Sequence, residues 1–228
     1  MDTYLVFAGG PSPTARERTT IAERVAGTTA RRAVAADNGI ELADAVGATV
    51  DAVVGDMDSV DEDRLRRAES DGVAIVRFPA DKDATDLELA FDHVAAVASP
   101  GDRIVLVGTT AGRFDHVLAA VLGLAGPDLS PFVCEAWLGT DVLHVVRGAR
   151  SLTMEPGSTF SILPVHGSAV VTESGVRWPL DERPVRPGSS LGVSNVAMGD
   201  RVDVEVADGT ALVVVAGPIS DDGSGASR

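Results

Sequence analysis

Residues 51–98, "DAVVGDMDSVDEDRLRRAESDGVAIVRFPADKDATDLELAFDHVAAVA", hold a strand, a helix, a strand and a helix in succession, and that order decides the fold. "DAVVGD" and "VAIVRF" are short β-branched runs closed by polar loops, and the polar, helix-favouring "DEDRLRRAES" lies between them. In "TDLELAFDHVAAVA" the apolar residues Leu87, Phe91, Val94 and Ala98 recur at spacings of three and four, which places them on one helical face. Two strands joined through a helix run parallel, because the crossover returns the chain to its starting edge.

The pattern extends outward in both directions. "TYLVFAGG" and "RRAVAAD" precede the stretch and "DRIVLVG" follows it, so residues 3–126 predict a Rossmann-like parallel sheet with covering helices. After "GLAGPDLSP" the runs "DVLHVVRG", "STFSILPV", "SAVVTESG", "RVDVEVADG" and "TALVVVAG" succeed one another with turn signals between, which predicts an all-β sandwich. The expected divisions are an α/β nucleotide-binding domain over 1–130, a β-sandwich over 131–219, and a polar, disordered tail over 220–228.

Composition excludes several classes of function. With 34 acidic against 19 basic residues the net charge is −15, which repels a nucleic-acid backbone. A GC-rich coding sequence and a salt-adapted surface account for this acidity equally well. No apolar run is long enough to span a bilayer, and "MDTYLVFAGG" carries an acid where a signal peptide is basic, so the expected location is the cytoplasm. Cys134, in the apolar "PFVCEAW", is expected to be a core thiol.

The acids fall at one kind of place. Asp37 ends the second strand in "VAADNG", Asp56 and Asp58 follow the third in "VVGDMDS", "DKDATD" follows the fourth, and "GTTAGRFDH" follows the fifth. Carboxyl ends of parallel strands share one edge, so these four loops converge. Clustered carboxylates call for a cation, and a hard oxygen-ligand set suits Mg²⁺, which shares its shell with phosphates. Lys82, the only lysine, and Arg113 add the charges that a polyphosphate requires, with Lys82 expected to be held by its neighbours Asp81 and Asp83. Other readings stand beside this one. Thr85 with Glu88 forms a capping box and Asp86 suits a helix dipole, "GDMDS" is compatible with a polar turn, and its D-x-D spacing suits a phosphatase with a nucleophile at Asp56. Neither a P-loop nor a G-x-G-x-x-G follows any strand.

Taken together, "ADNG", "GDMDS", "DKDATD" and "GRFDH", followed by "GVRWPLD" and "GVSN", resemble in identity and order the motifs of the thiamine pyrophosphokinase family. The resemblance implies an α/β nucleotide domain, a β domain, and a homodimer with active sites between subunits. It implies transfer of a pyrophosphoryl group from ATP to the hydroxyl of thiamine, giving thiamine diphosphate and AMP. Neighbouring possibilities are a pyrophosphokinase for another hydroxymethyl heterocycle such as a pterin, and a non-catalytic sensor of nucleotide or thiamine diphosphate. By the resemblance Asp37, Asp56, Asp58 and Asp86 hold Mg²⁺, while Asn38, Lys82, Asp83, Thr85, Arg113, Asp115 and His116 belong to the nucleotide site. Asp58, Lys82, Asp86, Arg113 and Asp115 are the catalytic candidates, Asp115 being either base or metal ligand. Trp178, Ser194 and Asn195 are implied to meet thiamine; from residue type alone Trp178 suits packing as well as stacking, and Ser194 with Asn195 suits a turn. Asn38 stands where the family has a second glycine, a place asparagine tolerates because it enters the left-handed region readily.

Overall fold

A computed structural model describes residues 1–217; the tail expected over 220–228 lies outside the described residues. The expected parallel strands form as β1 (Thr3–Phe7), β2 (Arg32–Ala36), β3 (Ala52–Gly55), β4 (Ala74–Arg77) and β5 (Arg103–Gly108). Alternation along β1 sets the layers: Tyr4 and Val6 enter one core, Leu5 and Phe7 the other. Strands buried on both faces read as continuous apolar runs, and Val6, Val34, Val53 and Val54 are fully enclosed. Each such side chain contributes roughly 1.5–3 kcal/mol.

Helices α1 (Ala15–Ala26), α2 (Gly39–Ala45) and α3 (Glu62–Ser70) cover the face of Leu5 and Phe7 through Ile21, Ile40, Leu42 and Leu65. Helices α4 (Asp86–Ala95) and α5 (Phe114–Leu124) cover the other through Phe91, Val94, Val121 and Leu124. The expected apolar face of α4 is thus the one that packs, although the helix ends at Ala95 and Ala98 packs from beyond it.

β6 (Val133–Leu138) runs parallel to β5 and antiparallel to β7 (Asp141–Thr153). Hydrogen bonding therefore passes without a break from the parallel strands into a strand-rich C-terminal region containing β8 (Thr159–Ser174), β9 (Arg183–Val185), β10 (Asn195–Val196) and β11 (Arg201–Val215). The order is β10-β8-β11-β7-β6-β5-β1-β2-β3-β4, with β9 on β8. The runs expected as separate strands at 158–165 and 168–175 form one strand, as do those at 201–209 and 210–217. The apparent turns between them are bends, at His166 and Gly167 in β8 and at Gly209 in β11, all with positive φ. Val146, Phe160, Ile162, Val171, Val204 and Val213 belong to the separate core of this region. Among the described residues no helix is long and apolar enough to cross a membrane.

Candidate active site

β1 lies between β5 and β2, so the chain reverses its direction of sheet growth there. Loops leaving the carboxyl ends of neighbouring strands on either side of such a reversal leave a crevice. A cleft of about 720 Å³ occupies it, lined by Gly9, Gly10, Asp37, Asn38, Lys82, Thr85, Asp86, Arg113 and His116 among others. Its deeper wall is apolar, from Leu87, Phe91, Leu106, Val117, Ala120 and Leu138.

The acid cluster forms as the strand order requires. Ligand oxygens of Asp37, Asp56 and Asp58 lie within 4.8 Å of one another. Gly55, at φ 153°, lets the β3 loop approach so closely that an added Cβ would come within 2.9 Å of Asp86 Oδ1 and 3.2 Å of Asp37 Cβ. The Asp56 amide donates to Asp86 Oδ1 at 3.2 Å and the Asp58 amide to Asp56 Oδ1 at 3.2 Å. Left-handed backbone is taken up by Asp37 (φ 46°) and Met57 (φ 66°). Asn38 instead stands just before α2 at φ −67°, so the glycine-like freedom expected at Asn38 is needed one residue earlier.

Lys82 is held differently from expectation. Its ammonium donates to Asp56 Oδ2 at 2.8 Å and pairs with Asp86 Oδ1 at 2.9 Å, one partner across the sheet edge and one a helical turn onward, rather than with its sequence neighbours. Asp81 and Asp83 are exposed. The backbone bends at Ala80, Asp81, Asp83 and Ala84, so residues adjacent in sequence there do not share the lysine's partners. The bond to Lys82 holds Asp56 below its ordinary value, and the bond to Asp56 raises Lys82. Asp37 moves the other way: burial raises it, and Asp86 and Asp58 add to the rise, opposed by the nearby Ser59 hydroxyl and Asn38 amide. Its Oδ1 is buried without a partner.

That orphaned oxygen tests the fit to a metal. Three carboxylates converge, Lys82 neutralises only Asp56 and Asp86, and a hard oxygen-ligand cation would complete Asp37 and Asp58. The donor set fits Mg²⁺.

Thr85 caps α4 in a reciprocal box with Glu88, with the Glu88 amide donating to Thr85 Oγ1 at 3.2 Å and the Thr85 amide to Glu88 Oε2 at 2.9 Å. The capping reading of "TDLE" thus holds, and Asp86, the first residue of the helix so capped, pairs with Lys82. Arg113 and Asp115 pair with each other at 2.5 Å on the exposed lip of the cleft. The guanidinium lowers Asp115, which makes it a weaker proton acceptor and an anchor for Arg113. Ser59, whose hydroxyl donates to Asp58 Oδ1 at 2.8 Å, escaped the sequence reading, as did the first loop Gly9-Gly10-Pro11; "AGGPSP" directly after the first strand was the available signal.

Trp178, Ser194 and Asn195 are absent from the cleft lining. They gather in the C-terminal region. Trp178 is 56 % exposed, with the Arg177 guanidinium 4.9 Å from its ring centre, so it is not a core residue. Asn195 is buried and Ser194 stands at φ 60°.

Two family models match in chain order: "Thiamin pyrophosphokinase, catalytic domain" over residues 26–128 and "Thiamin pyrophosphokinase, vitamin B1 binding domain" over 144–210. The chain belongs to the thiamin pyrophosphokinase family. Within that family it is 26 % identical over 173 residues to a thiamine pyrophosphokinase of Bacillus subtilis, 70 % of this chain and 75 % of that protein. It is 28 % identical over 166 residues to thiamine pyrophosphokinase 1 of Arabidopsis thaliana, 68 % of this chain and 61 % of the plant protein. The solved Bacillus subtilis thiamine pyrophosphokinase shares the fold with a TM-score of 0.79 at 22 % identity, covering 96 % of this chain and 100 % of that one. The Candida albicans thiamin pyrophosphokinase does so at 0.72 and 14 % identity, over 94 % and 88 %. The first family model spans the acid loops of the cleft, and the second spans Trp178, Ser194 and Asn195.

Proposed function

We propose that this chain is a thiamine pyrophosphokinase, transferring the terminal pyrophosphoryl group of ATP to the hydroxyethyl oxygen of thiamine. A bond forms between that oxygen and the β-phosphorus, the bond from the β-phosphorus to the α–β bridging oxygen breaks, AMP leaves, and the hydroxyl proton passes to a nearby acceptor. The observation that carries this reading is Lys82 fixed between Asp56 and Asp86, lining with Asp37 and its orphaned oxygen a cleft that is partly apolar. Such a transfer needs little covalent help, so positioning and charge against the phosphates supply most of the rate.

Lys82 and Arg113 would meet phosphate oxygens, Lys82 from a fixed place and Arg113 by exchanging Asp115 for substrate. Asp37, Asp56, Asp58 and Asp86 would hold Mg²⁺, which when bound neutralises developing phosphate charge. Asn38, Asp83, Thr85 and His116 complete the nucleotide side. Trp178, with Ser194 and Asn195, is assigned to the thiamine side, and its absence from the cleft of its own chain supports a homodimer in which each site joins two subunits. A lone buried thiol fits a reducing compartment, and the cytoplasm is the proposed location.

The test is AMP release by purified protein given ATP, Mg²⁺ and thiamine. AMP and thiamine diphosphate should accumulate in equal amounts; equal AMP release without thiamine overturns the acceptor, and a hydroxymethylpterin that outcompetes thiamine replaces it.

A further inference from the structure

Asn195 carries one side-chain amide, which offers two N–H donors and a carbonyl with two lone pairs. All four are spent on the protein. Nδ2 donates to Glu173 Oε1 at 2.8 Å and to the Trp178 carbonyl at 2.9 Å. Oδ1 accepts from the Trp178 amide at 3.1 Å and the Val196 amide at 2.9 Å. Asn195 has no capacity left for a substrate contact, and its amide grips the Trp178 main chain by both its N–H and its C=O, as a neighbouring strand would.

Glu173 decides which way that amide faces. Whether Glu173 is ionised or carries a proton on its free Oε2, its Oε1 accepts, so a flipped Asn195 would set oxygen against oxygen and lose both bonds to Trp178. The Glu173 amide also donates to the Leu180 carbonyl at 2.9 Å, so one residue of β8 holds the tryptophan segment through its backbone and its side chain. Glu173 is only 3 % exposed, and its Oε2 has no hydrogen-bond partner. Burial pushes its carboxyl up to about 7 against the opposing bond from Asn195. An unsatisfied buried oxygen destabilises the fold, which a purely stabilising role does not explain.

We propose that Glu173 and Asn195 are positioning residues of the thiamine side: Glu173 orients the Asn195 amide, and the amide fixes the main chain that presents Trp178. This rests on the thiamine pyrophosphokinase reading and revises one part of it, since Asn195 acts through Trp178 rather than on the substrate.

Glu173→Met, of similar length and without an acceptor, should raise the KM for thiamine about tenfold or more while leaving the KM for ATP within about twofold. Glu173→Gln keeps an acceptor for Asn195 and should return the thiamine KM to within about threefold of the parent. In the ligand-free Met variant, acrylamide should quench the exposed Trp178 more efficiently than in the parent, with Trp137 shielded by its 4 % exposure. A folded Met variant with the parental thiamine KM overturns the proposal. So does a Gln variant as impaired as Met, or an equal rise in both KM values. Should the Met variant fail to fold, Asn195→Asp decides: it places an acceptor against Glu173, and an unchanged thiamine KM overturns the relay. Absence of thiamine-dependent AMP release in the parent overturns the assigned reaction instead, and is seen before any variant is made.

Discussion

Lys82 lies 2.8 Å from Asp56 and 2.9 Å from Asp86, with its side chain only 14 % exposed, so it is the counterion of two acids as well as the charge proposed to meet phosphate. Lys82→Met should lower kcat by roughly a hundredfold, the scale of losing one preorganised electrostatic group. It should also lower the Tm of metal-free protein, because Asp56 and Asp86 then repel each other across a short gap. Added Mg²⁺ should restore Tm without restoring turnover. A variant with normal kcat would reduce Lys82 to a structural counterion. The environment of Lys82 also shows where sequence reading fails at this scale: adjacency in "DKD" suggested Asp81 and Asp83 as partners, whereas the partners come from another loop and the next helical turn.

At the scale of elements, β6 joins the parallel strands to the C-terminal region, and one residue holds the joint. Glu135 receives Arg103 of β5 at 2.7 Å and Arg150 of β7 at 3.0 Å, with the His144 ring at 3.2 Å and the Trp137 indole at 2.7 Å. Burial alone would raise Glu135, but the bonds and charges of His144, Arg103 and Trp137 outweigh it and bring the carboxyl down to about 2. Its folded value lies below the unfolded 4.5, so its contribution is fully present above about pH 4.5 and is lost as pH falls towards 2. Glu135→Leu leaves Arg103, Arg150 and His144 facing one another and should cost about 3–5 kcal/mol, read as a large fall in urea midpoint at neutral pH. The difference from the parent should shrink as pH falls towards 2. A variant as stable as the parent at pH 7 would mean that water already solvates the cations.

Over the whole molecule, the two matched regions hold their candidate site residues apart: the acids and Lys82 at the parallel-sheet edge, Trp178 exposed in the C-terminal region and absent from the cleft. If a second copy completes each site, Lys82→Met and Trp178→Ala homodimers should each be nearly inactive. After subunit exchange, about a quarter of wild-type activity should return, since half of the dimers are mixed and each of these has one intact site. Exchange verified by mass spectrometry without recovered activity would place the whole site within one chain.

Much of this was legible in local pattern. β-branched runs identified β3 and β4 and period-3.6 apolar spacing identified α4, and the parallel order they impose brings Asp37, Asp56, Asp58, Lys82 and Asp86 to one edge whatever the details of packing. The breaks in "STFSILPVHGSAVVTES" and "RVDVEVADGTALVVV" looked like turns, because glycine and polar residues mark a bend and a reversal alike; only pairing with the neighbouring strand separates the two. The parallel pairing of β6 with β5 could not be read from "PFVCEAW", because a short apolar run carries no sign of its partner. Glu173 stood in the sequence as one more acid in an acidic chain. Burial, its bond to Asn195 and its unsatisfied oxygen are set by residues brought together from β8 and β10, and those contacts exist only once the chain has folded.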